Sequence, residues 1–266
     1  MLIERQLKQY RALNKWFQSP LGLFTAHEFL VNLEHESEYL HGETLLQLGN
    51  CGDNIWLKKF NYIHKWIASP FSLANKIQIK CSLNQLPLDR NSVDCVIAPL
   101  TLEPFSNSLS LIDEIDRVLN PMGFVILLSI NPWSLWGGAM KIGLLHCYSD
   151  QNVKMRTAFN LNRIFLQRGY RQYSLSSFCY IPPVNNSSLI KKFTFLDEIG
   201  KMLWPFPSGF YCYIAQKYQV IEPKLQINSD DSIKDYEAPL QPVIFSSQSH
   251  EIKKIIGIRG YLEPKE

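Results

Sequence analysis

Between Leu86 and Gly137 two short, continuous apolar runs flank a stretch of helical spacing. Val93 to Ala98 is apolar and partly β-branched, with Asp94 near its start and Leu86-Pro87 fixing the approach, so it reads as a buried strand. Leu111, Ile115, Val118 and Leu119 then recur on one helical face; Asp113, Glu114 and Asp116 sit in the same stretch, and Ser106 or Asn107 is placed to cap it. Asn120-Pro121-Met122-Gly123 is expected to end that helix. Phe124 to Ile130 is apolar without alternation, the pattern of a strand covered on both faces of a parallel sheet, and Asn131-Pro132 closes it. The segment is a βαβ unit.

The remaining pattern extends this unit in both directions. Residues 1–30 predict helix, with Leu7, Tyr10, Arg11 and Asn14 on one side, a break at Ser19-Pro20-Leu21-Gly22 and a second start near Thr25. Trp16 and Phe17 either line a pocket or staple this segment to a core. Strands are predicted at Thr44 to Leu48, Asn61 to Ala68 and Lys76 to Cys81. After Ile130 come a helix from Thr157 to Arg168 stopped by Gly169, a strand from Tyr170 to Tyr180, a helix from Lys191 to Leu203 and a strand from Gly209 to Lys217. From Gln219 onward the chain carries NSDDS, scattered prolines, six basic and eight acidic residues, and reads as a loosely attached tail with an apolar patch at Ile252 to Ile258.

Composition narrows the classes. With 266 residues, 46% hydrophobic and 19% charged, the chain buries the core of one α/β domain with residues to spare. No apolar run is long enough for a membrane span and the charged N-terminal stretch lacks a secretory core, so a cytoplasmic protein is expected. The six cysteines are at least fourteen residues apart and the histidines form no metal-ligand pair, so reduced thiols and no metal are expected. Net charge is only +3, but Gln151 to Leu196 and Asn54 to Leu88 contain no acid. Such basic stretches either meet an anionic partner or form solvated faces balanced elsewhere.

Glu114-Ile115-Asp116-Arg117-Val118-Leu119-Asn120-Pro121-Met122-Gly123, set between Leu86-Pro87 and the flanking strands, resembles the second half of a class I S-adenosylmethionine (SAM) methyltransferase domain of the type 11 group. Asn131-Pro132-Trp133-Ser134-Leu135-Trp136-Gly137, and later Leu196 to Gly200 with Trp204-Pro205, resemble a small bacterial subgroup and extend the likeness over about residues 40–218. The resemblance implies an α/β fold: a Rossmann-like seven-stranded, mostly parallel sheet with an antiparallel last strand and helices on both faces. It divides the chain into an N-terminal helical segment (1–40), the methyltransferase domain (41–218) and a flexible C-terminal tail (219–266).

The first half departs from that pattern. Gln47 stands where relatives carry an acid; Gly49 keeps the first glycine of the turn, Cys51 and Asp53 take the next two places, and Gly52 falls between them. Ala68-Ser69-Pro70 replaces the acid that accepts the ribose hydroxyls, and Ser82-Leu83 stands beside the adenine position. Losing a hydrogen bond to a charged group costs about 1.5–3 kcal/mol, so a working site must compensate elsewhere.

The implied activity is in-line methyl transfer from SAM to an unidentified acceptor, a small molecule or RNA, in which holding donor and acceptor in line supplies about 7–11 kcal/mol. Cofactor contacts fall to Gln47, Gly49, Asn50, Gly52, Ser82, Leu83, Pro99 and Leu100. Glu103 is the candidate catalytic residue, positioning or deprotonating a nucleophile; its alternative is a solvated loop acid. Trp133 and Trp136 either sandwich a flat acceptor or cap the sheet end. The main rival is a catalytically degenerate methyltransferase-fold protein that serves as a binding or regulatory partner of another protein. A nicotinamide-dependent oxidoreductase is disfavoured by the missing G-x-G-x-x-G.

Overall fold

In the computed structural model, residues 2–71, 79–105, 108–150, 153–193 and 207–218 are described. Their centre is a sheet of order β3-β2-β1-β4-β5-β7-β6. Its strands are β1 (His41–Leu48), β2 (Asn61–Ser69), β3 (Ile79–Lys80), β4 (Val93–Pro99), β5 (Leu119–Ile130), β6 (Tyr170–Phe178) and β7 (Phe210–Lys217). All neighbours are parallel except β5·β7 and β6·β7, so the last strand runs antiparallel between them. The core strands β1, from Thr44 to Leu48, and β4 bury nearly every residue, as strands covered on both faces do. The strand order reverses between β1 and β4, which makes the carboxyl ends of those two strands the topological switch point where open α/β sheets take ligands.

The described helices are α1 (Leu2–Trp16), α2 (Pro20–Ser37), α3 (Ser108–Val118), α4 (Leu135–Lys141) and α5 (Ala158–Leu166). α2 begins at Pro20, not near Thr25: Ser19 caps it by accepting from Gly22 N–H, and Pro20 at the first turn has no N–H to satisfy. Its glycine is required, because a Cβ on Gly22 would lie 2.1 Å from the Trp16 carbonyl oxygen. α3 buries Leu111, Ile112, Ile115 and Val118, and Thr157 caps α5. The N-cap candidates Ser106 and Asn107 lie outside the described residues, as do residues 76–78 of the predicted third strand, the Leu196–Pro205 signature and everything from Gln219 onward.

One predicted turn is instead part of a strand. Asn120 to Gly123 does not separate α3 from β5; β5 starts at Leu119, and its register with β4 jumps between Val93↔Leu119 and Cys95↔Phe124. Asp94 holds this bulge and ties it to β1: its carboxylate accepts from the Asn120 side-chain amide (2.6 Å) and from the backbone N–H groups of Glu43 and Thr44 (2.9 Å each). Met122 takes up the left-handed backbone conformation there.

Candidate functional site

The site is built where β1 ends. Gly49 (φ 82°), Gly52 (φ 60°) and Asn54 (φ 50°) all adopt the left-handed conformation, so the chain leaves the strand in a tight turn rather than a helix. Gln47 is fully buried beneath this turn and all of its hydrogen-bonding capacity serves it. Its amide nitrogen donates to Gly49 O (2.8 Å) and Asn54 Oδ1 (2.6 Å), and its Oε1 accepts from the Trp56 indole N–H (2.8 Å). Asn54 Oδ1 also accepts from Cys51 N–H, and its amide donates to Asn50 Oδ1. Gln47 is therefore a strut of the turn and does not face the cleft.

The cleft side of the turn is covered by α1. Asn14 Oδ1 accepts from Gly52 N–H (2.9 Å) and from the Asn50 amide (2.8 Å). The Tyr10 ring lies against Gly49, 3.3 Å from where a Cβ would stand, and its hydroxyl donates to Thr101 O (2.9 Å). One turn earlier, Gln6 donates to Asn84 Oδ1 and accepts from the Ser82 hydroxyl (3.2 Å each). Gln9 Oε1 accepts from Ser149 N–H, and Arg5 pairs with Asp150 at 2.7 Å. A polar stripe at helical spacing, Gln6, Tyr10 and Asn14, thus runs along the cleft and meets it at each turn.

Past β4 the backbone is strained: Leu100 is a buried leucine with φ 52°, its N–H bonded to Leu128 O and its carbonyl accepting from the Tyr148 hydroxyl (2.8 Å). Thr101 Oγ1 bridges to Leu48 O, which brings the β1 and β4 ends together. Glu103 is only 1% exposed, so it is not a solvated loop acid. Its carboxylate meets Ile130 N–H (3.3 Å) and the Tyr148 hydroxyl (3.4 Å). Burial pushes its pKa up to about 7, partly offset by bonds from its own backbone, Ile130, Ser129 and Tyr148. The same burial, with Glu103 adding repulsion, raises the pKa of Tyr10, Tyr148 and Cys147.

Gly49, Asn50, Gly52, Pro99 and Leu100 are therefore gathered at one edge; Ser82 is linked to α1 through Gln6, and Leu83 is fully buried. The two tryptophans part company. Trp136 is 1% exposed, donates its indole N–H to Ile181 O (2.8 Å) and packs edge-on against Phe210 and Trp16. Trp133 is 78% exposed with the Lys141 ammonium 6.0 Å from its ring centre. The pair cannot sandwich an acceptor, because one ring is core and the other surface. Trp16 and Phe17 likewise pack into the core, against Trp136 and Trp56. Sequence reading missed Gln6, Asn14, Asn54 and Tyr148 as parts of the site; the signal available for two of them was the four-residue spacing of polar side chains in α1.

The strand order, the single antiparallel strand and the glycine turn at the switch point agree in one architecture. The fold is that of the class I methyltransferases. Residues 64–127 match the family model for a methyltransferase domain of the type 11 group. The match begins inside β2 and ends inside β5, leaving out β1 and the turn in which the family pattern is altered. No curated protein matches the chain. Among solved structures, this class I methyltransferase fold is similar to a SAM-dependent methyltransferase, possible histamine N-methyltransferase, from Thermotoga maritima (TM-score 0.55, 14% identity, 82% of this chain and 100% of that one). A chain of the complex between the Haloferax volcanii Trm112 methyltransferase activator and a putative methyltransferase is also similar (0.52, 13%, 71% and 88%). So is a SAM-dependent methyltransferase from Archaeoglobus fulgidus (0.50, 16%, 71% and 93%).

Whether a class I cofactor fits is decided by the turn. The Gly52 N–H, the donor a ligand carboxylate would take in such a turn, is already bonded to Asn14, and the space against Gly49 is filled by Tyr10. In this structure Asn14 and Tyr10 fill the cradle, which does not accommodate SAM. Among the described residues no group of side chains is arranged to hold a metal ion, and no helix is long and apolar enough to cross a membrane.

Proposed function

We propose that this protein is a SAM-dependent methyltransferase whose own N-terminal helix closes the cofactor cleft. The observation that carries the reading is the class I fold with its glycine turn retained at the switch point, covered by a helix that makes polar contacts at each turn. A helix held to the cleft by hydrogen bonds between polar groups exchanges them for water or ligand at small net cost, since each contributes only about 0.5–1.5 kcal/mol net. Withdrawing α1 also uncovers the buried Tyr10, Leu13 and Trp16, at about 1.5–3 kcal/mol for each large apolar side chain, so cofactor binding must supply that difference. With the helix withdrawn, the Gly52 N–H and the Gly49 backbone are free to meet a ligand, and Glu103, whose pKa lies near neutrality, is placed to hold a proton at the β4 edge.

The second reading, a non-catalytic protein that retains the fold, is favoured by the same plug together with Gln47 acting as a strut and the missing acid after β2. Calorimetric titration of the full chain with SAM and S-adenosylhomocysteine separates the two. Micromolar binding, with faster hydrogen exchange at the α1 amides when ligand is added, supports the enzyme. A folded sample that binds neither ligand up to millimolar concentration leaves the non-catalytic reading.

A further inference from the structure

The acid-free stretch after Asp150 folds into a surface with a definite shape. Two depressions of about 440 and 500 Å³ adjoin, sharing Arg156, Thr157 and Asn160. The first is flanked by Trp133, Lys141 and Lys154, the second by Phe159, Arg163 and Arg168. Among the described residues no carboxylate lines either one. Arg168 is engaged by Asp113 at 2.6 Å; Lys141, Lys154, Arg163 and Arg156, whose Nε–H donates to the Ser108 hydroxyl (2.9 Å) and which pairs with no carboxylate among the described residues, are the other cations spread along the groove. Two aromatic rings stand out of it, Trp133 at 78% and Phe159 at 79% exposure. Each ring offers an open face on which a flat group can stack.

The groove is joined to the reactive edge. Lys154 N–H donates to the Glu103 carbonyl (3.0 Å), and Arg156 O accepts from the Tyr211 hydroxyl (2.8 Å). Whatever lies in it runs past the segment bonded to Glu103. Cations distributed over two depressions, with a flat ring at each, match a ligand that repeats a phosphate and a stackable base, not a compact anion.

We infer that this groove binds single-stranded nucleic acid and delivers it to the Glu103 edge as the methyl acceptor, an assignment that rests on the methyltransferase reading only for its second half. Phosphates lie along Lys141, Lys154, Arg156 and Arg163, and bases stack on Trp133 and Phe159. Exposed Ile142 and Leu144 beside Lys141 are the feature that an anionic lipid surface would use instead, and the experiment includes that arm.

The test is fluorescence anisotropy of the full chain with a labelled single-stranded RNA of about 12 nucleotides, the DNA of the same sequence and an RNA duplex. Salt is varied from about 50 to about 200 mM. Four phosphate contacts predict a log–log salt slope near about −3 on single strands, and Lys154→Ala or Arg163→Ala each reduces its magnitude by about 0.7. Trp133→Ala and Phe159→Ala leave the slope unchanged and weaken binding by roughly fivefold to a hundredfold. The paired variant Lys58→Ala/Lys65→Ala, in the other acid-free stretch, changes neither. The inference is overturned if the full chain binds no single strand at low salt, if the Lys58/Lys65 pair matters as much as the groove, or if Trp133→Ala instead abolishes sedimentation with phosphatidylserine vesicles while leaving RNA binding intact. None of these readouts needs SAM: loss of nucleic-acid binding with SAM binding preserved removes the acceptor alone, and the converse removes methyl transfer while the groove stands.

Discussion

Restoring the family's acid at the end of β1 should damage this protein. In the Gln47→Glu variant, a carboxylate oxygen replaces the amide that donates to Gly49 O at 2.8 Å and to Asn54 Oδ1 at 2.6 Å. Two donors are lost and three acceptors are left facing one another in a position with no solvent exposure. Rotating the Asn54 amide to supply a donor does not repair this, because its Oδ1 also accepts from Cys51 N–H and its nitrogen donates to Asn50. Two lost hydrogen bonds at about 1 kcal/mol each, with a desolvated charge added, put the cost at about 3–5 kcal/mol near pH 8. The introduced carboxyl, buried without a cation, has a folded-state pKa above its unfolded value. Stability is therefore lost as pH rises between the two, and the variant is less impaired at pH 5 than at pH 8. Urea unfolding followed by tryptophan fluorescence at both pH values measures the difference. A variant within about 0.5 kcal/mol of the parent at pH 8, or one that binds SAM more tightly, would refute the assignment of Gln47 as a strut.

Glu103 carries a second pH prediction. Its pKa of about 7, against an ordinary 4.5, means that the unfolded chain releases the proton first, so stability falls from about pH 4.5 and levels off above pH 7. The loss amounts to about 3 kcal/mol, and Glu103→Gln should flatten that part of the stability–pH curve; an unchanged slope would show that Glu103 is not the buried acid responsible. The separated tryptophans give a third. Trp136→Ala removes a buried ring and its bond to Ile181 O and should cost about 3–5 kcal/mol, whereas Trp133→Ala should stay within about 0.5 kcal/mol; equal costs in thermal or urea unfolding would mean that both rings belong to the core.

Much of the fold follows from local pattern. The continuous apolar runs at Val93 to Ala98 and Phe124 to Ile130 become the buried strands β4 and β5, and the i, i+4 spacing of Leu111 and Ile115 becomes the buried face of α3. The glycine positions at 49 and 52 already marked a turn that only left-handed backbone can make. Local pattern was misleading where a tertiary partner overrides propensity. Asn120 to Gly123 reads as a helix stop, yet Asp94 from a neighbouring strand accepts from Asn120 and draws the segment into a strand bulge.

The site was legible as a place but not as a state. The resemblance to class I methyltransferases, together with the strand positions, pointed to the β1 turn, the β4 edge and Glu103 as the candidate site, because those residues follow their strands directly. It could not show that Gln47 points inward, that Trp133 and Trp136 separate, or that Asn14 and Tyr10 reach across more than thirty residues of chain to cover the turn. Those outcomes depend on which donors and rings the folded chain brings within hydrogen-bonding or packing distance, and no local periodicity encodes that distance. Local pattern and the family resemblance suffice for the sheet, the turn and the basic stretch; that α1 covers the cleft, and that the cations and exposed rings share one groove, follows from contacts between residues far apart in the chain.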